Sequence, residues 1–205
     1  MAEPVVGVLA LQGDFAAHVQ VLRELDAATR EVRTPADLEG LDGLVIPGGE
    51  STTMMLGIER ERLAEPLRAL AERGTPLLGT CAGLIVLDRD HLGLMDLRAE
   101  RNAFGRQVRS FEADLDVAGI DGPPVRAIFI RAPWVAEHGE EVEVLAELDG
   151  HPVAVRQGDR LAMSFHPELS GETRLHARFL ALVRARRDGS EPDHAAENGA
   201  GGQTR

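Results

Sequence analysis

The chain of 205 residues has no tyrosine and no lysine, and it contains a single cysteine and a single tryptophan. Aromatic residues make up only 3% of it, so its core has to be aliphatic, and hydrophobic residues at 43% are sufficient for one. One cysteine excludes an internal disulfide, which fits a reducing compartment. We therefore expect a cytoplasmic protein.

Positive charge is also scarce, because 22 arginines stand against 34 acidic residues and the formal net charge is −12. An acidic chain without a basic stripe is a poor candidate for binding nucleic acid. The N-terminal stretch MAEPVVGVLALQG lacks the basic region of a signal peptide, and the chain has no apolar run long enough to span a membrane. No cysteine pair, H-E-x-x-H motif or glycine-rich phosphate loop occurs, so we expect neither a metal site nor a nucleotide site.

Short aliphatic runs alternate with helical patterns in the first half of the chain. This alternation predicts a doubly wound α/β fold with a mostly parallel sheet and helices on both faces. The second half has short β-like runs and predicts a small added antiparallel or mixed segment. Composition changes near the C-terminus, so we expect one domain over residues 1–186 and a disordered acidic tail over 187–205. The predicted strands are 4–11, a short one around 30–33, 42–49, 76–78, 108–115, 125–130, 142–148, 151–155 and 161–168, and Asp14 is placed to cap the first helix.

The cysteine lies in GTCAG, residues 79–83, which has the G-x-nucleophile-x-G form of a nucleophile elbow. Such an elbow holds its nucleophile on a cramped turn between a strand and a helix, where flanking glycines leave space. The apolar runs on either side supply a strand and a helix. Taken alone, Cys81 is equally compatible with a buried core residue, because most lone cysteines are inert.

A thiolate nucleophile needs a base, and His166 in SFHPE is the candidate among seven histidines. Residues two apart on an extended segment project to the same side, so Glu168 is placed to orient the His166 ring. We interpret His18 and His176 as packing or surface residues, and we find no evident partner for His91 or His151. The alternative for His166 and Glu168 is a surface pair beside a turn.

PGGES, residues 47–51, supplies a candidate oxyanion hole. Acyl transfer requires N–H donors where negative charge develops, and the Gly49 N–H is placed to work with the N–H of Ala82. The alternative is a plain glycine turn before a helix that Ser51 caps.

Together these motifs resemble the class I, triad-type glutamine amidotransferases. The stretches GVLALQGDFAAHV, LVIPGGESTTM, GTCAGLIVL, ERNAFGRQVRSFEADL, FIRAPW and SFHPEL resemble one family among them, the glutaminase subunits of pyridoxal 5′-phosphate synthase. These stretches follow the family's order over roughly residues 6–183, and GGESTTM, FGRQ and FIRAP are more specific than the triad.

The resemblance implies that Cys81 attacks the amide carbon of glutamine, His166 shuttles protons and Glu168 orients His166. It also implies that the glutamine site is lined by Gly49, Glu50, Ser51, Arg101, Ile130 and Arg131. An arginine at a buried edge of the pocket suits a substrate carboxylate. The family uses no cofactor, and its ammonia passes to a separate synthase subunit, a (β/α)8 barrel, in a hetero-oligomer. The helix after Gln12 is the expected docking surface.

Two alternatives stay open. The chain is compatible with the glutaminase of another pathway, such as imidazole glycerol phosphate synthase, or with a non-catalytic scaffold of the same fold. A short loop, DRD at 88–90, stands where members of the resembled family often carry more residues.

Overall fold

A seven-stranded sheet forms the centre of the molecule in the computed structural model, which describes residues 3–104 and 110–189. The strands of the described chain are β1 (Val5–Leu9), β2 (Ala28–Val32), β3 (Gly43–Ile46), β4 (Leu77–Thr80), β5 (Leu97–Glu100), β6 (Ser110–Leu115), β7 (Val125–Ile130), β8 (Trp134–His138), β9 (Glu143–Leu148), β10 (His151–Gln157) and β11 (Arg160–Met163). The helices are α1 (Phe15–Glu24), α2 (Ser51–Arg60), α3 (Ala64–Glu72), α4 (Ala82–Leu87) and α5 (Arg174–Asp188), with short 3-10 helices at Pro35–Leu38 and Pro167–Leu169.

The sheet order is β2-β1-β3-β4-β11-β10-β9. The first five of these strands are parallel, and β10 and β9 continue the sheet in antiparallel fashion. This mostly parallel sheet confirms the predicted fold class. Because β3 and β4 are buried along their whole length, they consist of continuous short aliphatic runs instead of alternating patterns.

The core lies on both faces of this sheet. Neighbouring residues of a strand point to opposite faces, and so Val45 of β3 packs in one cluster while Ile46 packs in the other. The first cluster includes Leu22 of α1 and Phe179 of α5, and the second includes side chains of α2, α3 and α4. Helices therefore cover both faces, as predicted.

Some local predictions need correction. Asp14 lies at the N-terminus of α1, but its side chain makes no capping hydrogen bond. In the second half, β11 is parallel to β4 within the central sheet and the other strands pair in antiparallel fashion. These strands are not one added segment, because β9 and β10 extend the central sheet while β6–β7 and β5–β8 form two separate pairs. Strands β5 and β8 were not predicted. Helix α5 reaches Asp188, past the boundary that composition predicts at 186, and residues 190–205 of the predicted tail lie outside the described residues.

None of the helices in the described ranges is long and apolar enough to cross a membrane.

Candidate active site

A cavity of about 390 Å³ lies at the carboxyl ends of the parallel strands, where open α/β sheets bind their ligands. Its wall comes from the ends of β1, β3, β4, β5, β7 and β11 and from the segments that follow them. All but one of the predicted site residues line this cavity. The exception is Glu168, which contacts His166 from the side away from the cavity. The predicted residues that line it are Gly49, Glu50, Ser51, Cys81, Ala82, Arg101, Ile130, Arg131 and His166.

Cys81 occupies the turn between β4 and α4 in a strained backbone conformation, with φ 48° and ψ −105°. Its N–H donates to the Met163 carbonyl oxygen at 2.8 Å, which anchors the turn to β11. A Cβ on Gly83 would lie only 2.1 Å from the Ile46 carbonyl oxygen, and one on Gly79 would lie 2.6 Å from Leu87 Cδ1. The turn therefore requires the glycines that flank the cysteine.

The Cys81 side chain reaches the cavity although only 6% of the residue is exposed. Its Sγ lies 3.8 Å from the carbonyl oxygen of Ile130, which accepts a weak hydrogen bond from the thiol. Ile130 itself is half-buried, and its contribution at this position comes from the backbone.

His166 and Glu168 form a buried pair beside Cys81. The His166 Nδ1 lies 2.7 Å from Glu168 Oε1, and the His166 N–H donates to the Ile128 carbonyl oxygen at 2.9 Å. Burial opposes ionisation of the imidazole, but hydrogen bonds with Cys81 and Glu168 outweigh it and raise the pKa of His166 from 6.5 to about 10. The ring is therefore an imidazolium at neutral pH, next to the sulfur.

The loop after β3 packs directly against that ring. A Cβ on Gly48 would lie 2.2 Å from His166 Cε1, so only glycine allows this approach. The neighbouring Gly49 is exposed and lines the cavity, and the buried Ala82 lines it beside Cys81. Gly48 was not among the predicted site residues, and the pair of adjacent glycines was the only feature of the sequence that pointed to it.

Glu50 is the N-terminal cap of α2, which makes the interpretation of Ser51 as the cap wrong. The Glu50 carboxylate accepts from the N–H of Thr52 at 3.1 Å and from the N–H of Thr53 at 2.7 Å. Hydrogen bonds from the Thr53 hydroxyl, the Thr53 N–H and the Thr52 N–H lower the pKa of Glu50 to about 2. The Glu50 N–H donates to Gln12 Oε1 at 2.8 Å, so Gln12 ties the two loops together.

Arg101 and Arg131 stand at the mouth of the cavity and are exposed, which corrects the expectation of a buried edge. Arg101 donates from Nη1 to Thr52 Oγ1 at 3.1 Å, and its Nη2 lies 3.3 Å from His91 Nε2. These cationic groups face the cavity from outside the buried triad.

The other histidines within residues 3–104 and 110–189 have surroundings that the sequence did not reveal. His91 Nδ1 lies 2.7 Å from Asp88 Oδ1, across the short loop after α4. His151 stacks on Trp134 with ring centroids 3.5 Å apart. His18 and His176 are fully buried. In residues 3–104 and 110–189, no group of three His, Cys, Asp or Glu side chains is placed to hold a metal ion.

The arrangement contains the parts that acyl transfer requires. A cysteine sulfur on a strained turn lies in hydrogen-bonding contact with an imidazole, and a carboxylate oxygen lies 2.7 Å from the other side of that ring. These are the kinds of group that serve as nucleophile, acid and base, and orienting carboxylate in acyl transfer. The cavity is of the size that holds a small metabolite.

Proteins of known family match this chain in sequence and in fold. The model of the SNO glutamine amidotransferase family matches residues 8–185. The pyridoxal 5′-phosphate synthase subunit PdxT of Streptomyces avermitilis is 53% identical over 196 residues, which cover 91% of this chain and 98% of that protein. The PdxT subunit of Mycobacteroides abscessus is 52% identical over 191 residues, covering 89% of this chain and 98% of its own length.

Solved structures agree with these relatives. A crystal structure described as a glutamine amidotransferase superposes with a TM-score of 0.82 at 48% identity, over 87% of this chain and 98% of that chain. A structure described as a subunit of a GMP synthase from Thermoplasma acidophilum has a TM-score of 0.71 at 17% identity, over 92% of this chain and 98% of that chain, and it shows the shared fold alone.

Proposed function

Because the chain belongs to the SNO glutamine amidotransferase family, we propose that it hydrolyses L-glutamine and supplies ammonia to pyridoxal 5′-phosphate synthase. The observation that carries this proposal is the juxtaposition of Cys81, His166 and Glu168 at one small cavity. The PdxT relatives, matched over about nine tenths of this chain, are named as subunits of that synthase.

The reaction proceeds through a thioester on Cys81. With its proton on His166, the Cys81 sulfur attacks the side-chain amide carbon of glutamine as a thiolate. The C–N bond breaks as the His166 imidazolium gives that proton to the leaving nitrogen, which departs as ammonia. Water then attacks the thioester while His166 takes up a proton, and the C–S bond breaks to give glutamate and the free cysteine. Glutamine and water are consumed, and glutamate and ammonia are formed.

Two backbone N–H groups, those of Gly49 and Ala82, serve as the oxyanion hole in this proposal. Both residues line the cavity on either side of Cys81. Each donor to a developing oxyanion typically lowers the barrier by about 3 kcal/mol.

The glutamine itself lies among Gly49, Glu50, Ser51 and the residues at the mouth of the cavity, Arg101, Ile130 and Arg131. The two arginines suit the α-carboxylate of an amino acid, because guanidinium groups bind carboxylates in bidentate fashion. The Glu50 carboxylate, ionised at neutral pH, suits the α-ammonium group. Side chains and water perform every step, so the reaction calls for no cofactor.

We assign the chain to a cytoplasmic hetero-oligomer with a separate synthase subunit of the (β/α)8 barrel type. Helix α1, which comes after Gln12, and the loops at the cavity mouth form the docking surface. Within the chain, we assign the amidotransferase domain to the residues up to the end of α5 at Asp188, and we assign no part of the reaction to the acidic sequence after it. These assignments rest on the names of the relatives and on the composition of the tail.

The experiment measures glutamate release from glutamine by the wild-type chain and by Cys81→Ala, each with and without the synthase subunit of pyridoxal 5′-phosphate synthase. We expect the wild type to release glutamate, faster with the synthase, and Cys81→Ala to lose turnover by a factor on the order of 10⁴ or more. A second readout is formation of pyridoxal 5′-phosphate with glutamine as the only nitrogen source.

The same experiment decides between the alternatives. Undiminished turnover by Cys81→Ala would rule out the mechanism. If the wild-type chain neither hydrolyses glutamine nor binds the synthase, the result favours a non-catalytic scaffold. If the synthase of another pathway stimulates the hydrolysis, that pathway is the one that receives the ammonia.

A further inference from the structure

Glu168 uses only one of its two carboxylate oxygens on the catalytic histidine. Its Oε1 accepts from His166, whereas Oε2 is buried and has no hydrogen bond of ordinary geometry. A buried carboxylate oxygen without a donor is costly, because it has lost its water. The nearest ring nitrogen is Nε2 of His18, at 3.5 Å from Oε2.

His18 belongs to a buried pair that the proposed mechanism does not use. It comes from α1, His176 comes from α5, and both residues are 0% exposed. His18 Nδ1 lies 2.9 Å from His176 Nε2, and His18 Nε2 also lies 3.1 Å from the hydroxyl of Thr80, the residue before Cys81. The pair therefore lies directly behind the catalytic triad.

Both rings of this pair are neutral at physiological pH. Burial, and then the neighbouring His176 and His166, lower the pKa of His18 well below 6.5. Burial lowers the pKa of His176 to about 4, against an opposing contribution from Glu172. The titratable groups that face the pair are thus His166 and Glu168 from the site and Glu172 from the turn before α5.

A neutral imidazole has one N–H, so the direction of these hydrogen bonds is set by Glu168. A carboxylate only accepts, and this requires the hydrogen of His18 to be on Nε2, facing Oε2 and Thr80. His18 Nδ1 then accepts from the Nε2–H of His176. The remaining nitrogen, His176 Nδ1, then carries no hydrogen while the ring is neutral, and the hydrogen bond of His176 to the Glu172 backbone forms when the ring is protonated.

We propose that His18 and His176 are positioning residues of the glutaminase reaction. They add two buried rings to the series of contacts that joins Cys81, His166 and Glu168. The Nε2–H of His18 holds the second oxygen of Glu168, and His176 fixes the tautomer of His18. Second partners of this kind keep a catalytic carboxylate in one orientation. The inference rests on the proposed function, since it assigns these residues to that same reaction.

The test compares His18→Leu, His18→Gln and the control Val19→Ala, which removes buried apolar atoms from the same helix and no group that could donate to Glu168. Glutamine supplies the same number of bonds from Cα to its amide nitrogen as histidine supplies to Nε2, so it can keep the donor. We expect His18→Leu to lower kcat roughly tenfold or more with KM nearly unchanged, and His18→Gln to recover most of that loss.

A second readout is the titration of His166 by NMR. The hydrogen bond with Glu168 is one of the contacts that raise the pKa of His166, so a loosened Glu168 lowers that pKa in His18→Leu. Val19→Ala should leave it near the wild-type value. A role in packing alone predicts the opposite result, in which His18→Leu and Val19→Ala match in kcat and in the His166 titration, and this would overturn the proposal.

The wild-type chain provides a test that does not depend on a variant folding. With 15N-labelled histidine, His18 and His176 should stay neutral from about pH 5 to about pH 8 and carry their hydrogen on Nε2. A His18 protonated on Nδ1 alone would overturn the proposal. Cys81→Ala, assayed alongside, distinguishes a failure of this inference from a failure of the proposed function, because turnover by that variant would refute the triad itself.

Discussion

At the scale of the residue, the site depends on a cysteine held in a conformation that side chains rarely adopt. A positive φ at a non-glycine residue costs on the order of 1–3 kcal/mol, and the structure sustains it at Cys81 through the hydrogen bond to Met163 and the close packing of Gly83. The strained turn brings the sulfur into contact with His166. Stability at this residue is given up for reactivity.

The titration of His166 should change when that contact is removed. In the wild type the pKa of His166 lies near 10, and in Cys81→Ala we expect a lower pKa, because the hydrogen bond with the sulfur is lost while burial still opposes the charge. Because the pKa of His166 is higher in the folded chain than in the unfolded chain, protonation of this ring stabilises the fold. The stabilisation is complete below pH 6.5 and is lost as pH rises through about 10. Wild-type stability should therefore fall over that range more steeply than the stability of Cys81→Ala.

NMR titration of the His166 ring and denaturant unfolding at a series of pH values measure both effects. The same pKa in the two proteins would show that the sulfur does not interact with the ring.

Individual residues differ in how far the sequence reveals them. The glycine spacing around Cys81 has direct geometric meaning, and the structure has the predicted turn there. His166 and Glu168 are paired as predicted, but not on an extended segment, because Pro167–Leu169 is a 3-10 helix. His18 and His176 could not be paired in advance, since 158 residues separate them and both lie in helical patterns. Ile130 acts through its carbonyl oxygen, and a backbone contact leaves no mark on residue type.

At the scale of the element, the site is made by the connections at the ends of the strands. The carboxyl ends of β3, β4 and β11 lie at one edge of the sheet, and each leads into a tight connection that presents one part of the chemistry. Helix α2 is held by its Glu50 cap, which keeps the loop after β3 beside the cavity. Short connections from buried strands place these groups with little freedom.

Two glycine substitutions test how tightly the elbow is built. In Gly83→Ala the new Cβ would lie 2.1 Å from a backbone oxygen of β3, so we expect a loss of about 1–3 kcal/mol and reduced turnover. The matched variant is Gly57→Ala in the interior of α2, where the new Cβ meets only the Leu11 side chain, at 3.2 Å from its Cδ1. Alanine favours helix by about 1 kcal/mol, so Gly57→Ala should be neutral or stabilising.

Urea unfolding with glutamine turnover measures these variants. Equal stability and turnover for the two would show that the elbow tolerates a side chain.

The elements were predicted unevenly for a physical reason. Strands β3 and β4 are continuous aliphatic runs ended by glycine, which predicts buried strands. Strands β5 and β8, with sequences LRAE and WVAEH, carry charged residues on their exposed positions and form a short pair away from the central sheet. Their pairing is a tertiary contact that a local pattern does not contain.

At the scale of the whole molecule, the fold collects groups that are far apart in the chain into one cavity. The alternation of strands and helices predicted the architecture, and the family match over residues 8–185 confirms the resemblance found in the motifs. The sequence could not predict that β9 and β10 extend the central sheet, because strand order depends on which edges remain free. It also could not predict the exposure of the two arginines at the cavity mouth.

The central claim is that Cys81 is the nucleophile toward glutamine, and a diazoketone analogue of glutamine tests it most directly. The analogue alkylates a thiolate with loss of N₂, and the chain offers a single cysteine as the acceptor. We predict that turnover falls in proportion to labelling of the Cys81 peptide, that glutamine protects, and that Cys81→Ala takes up no label. A chain fully labelled at Cys81 that still hydrolyses glutamine at the wild-type rate would contradict the assignment of Cys81 as the nucleophile.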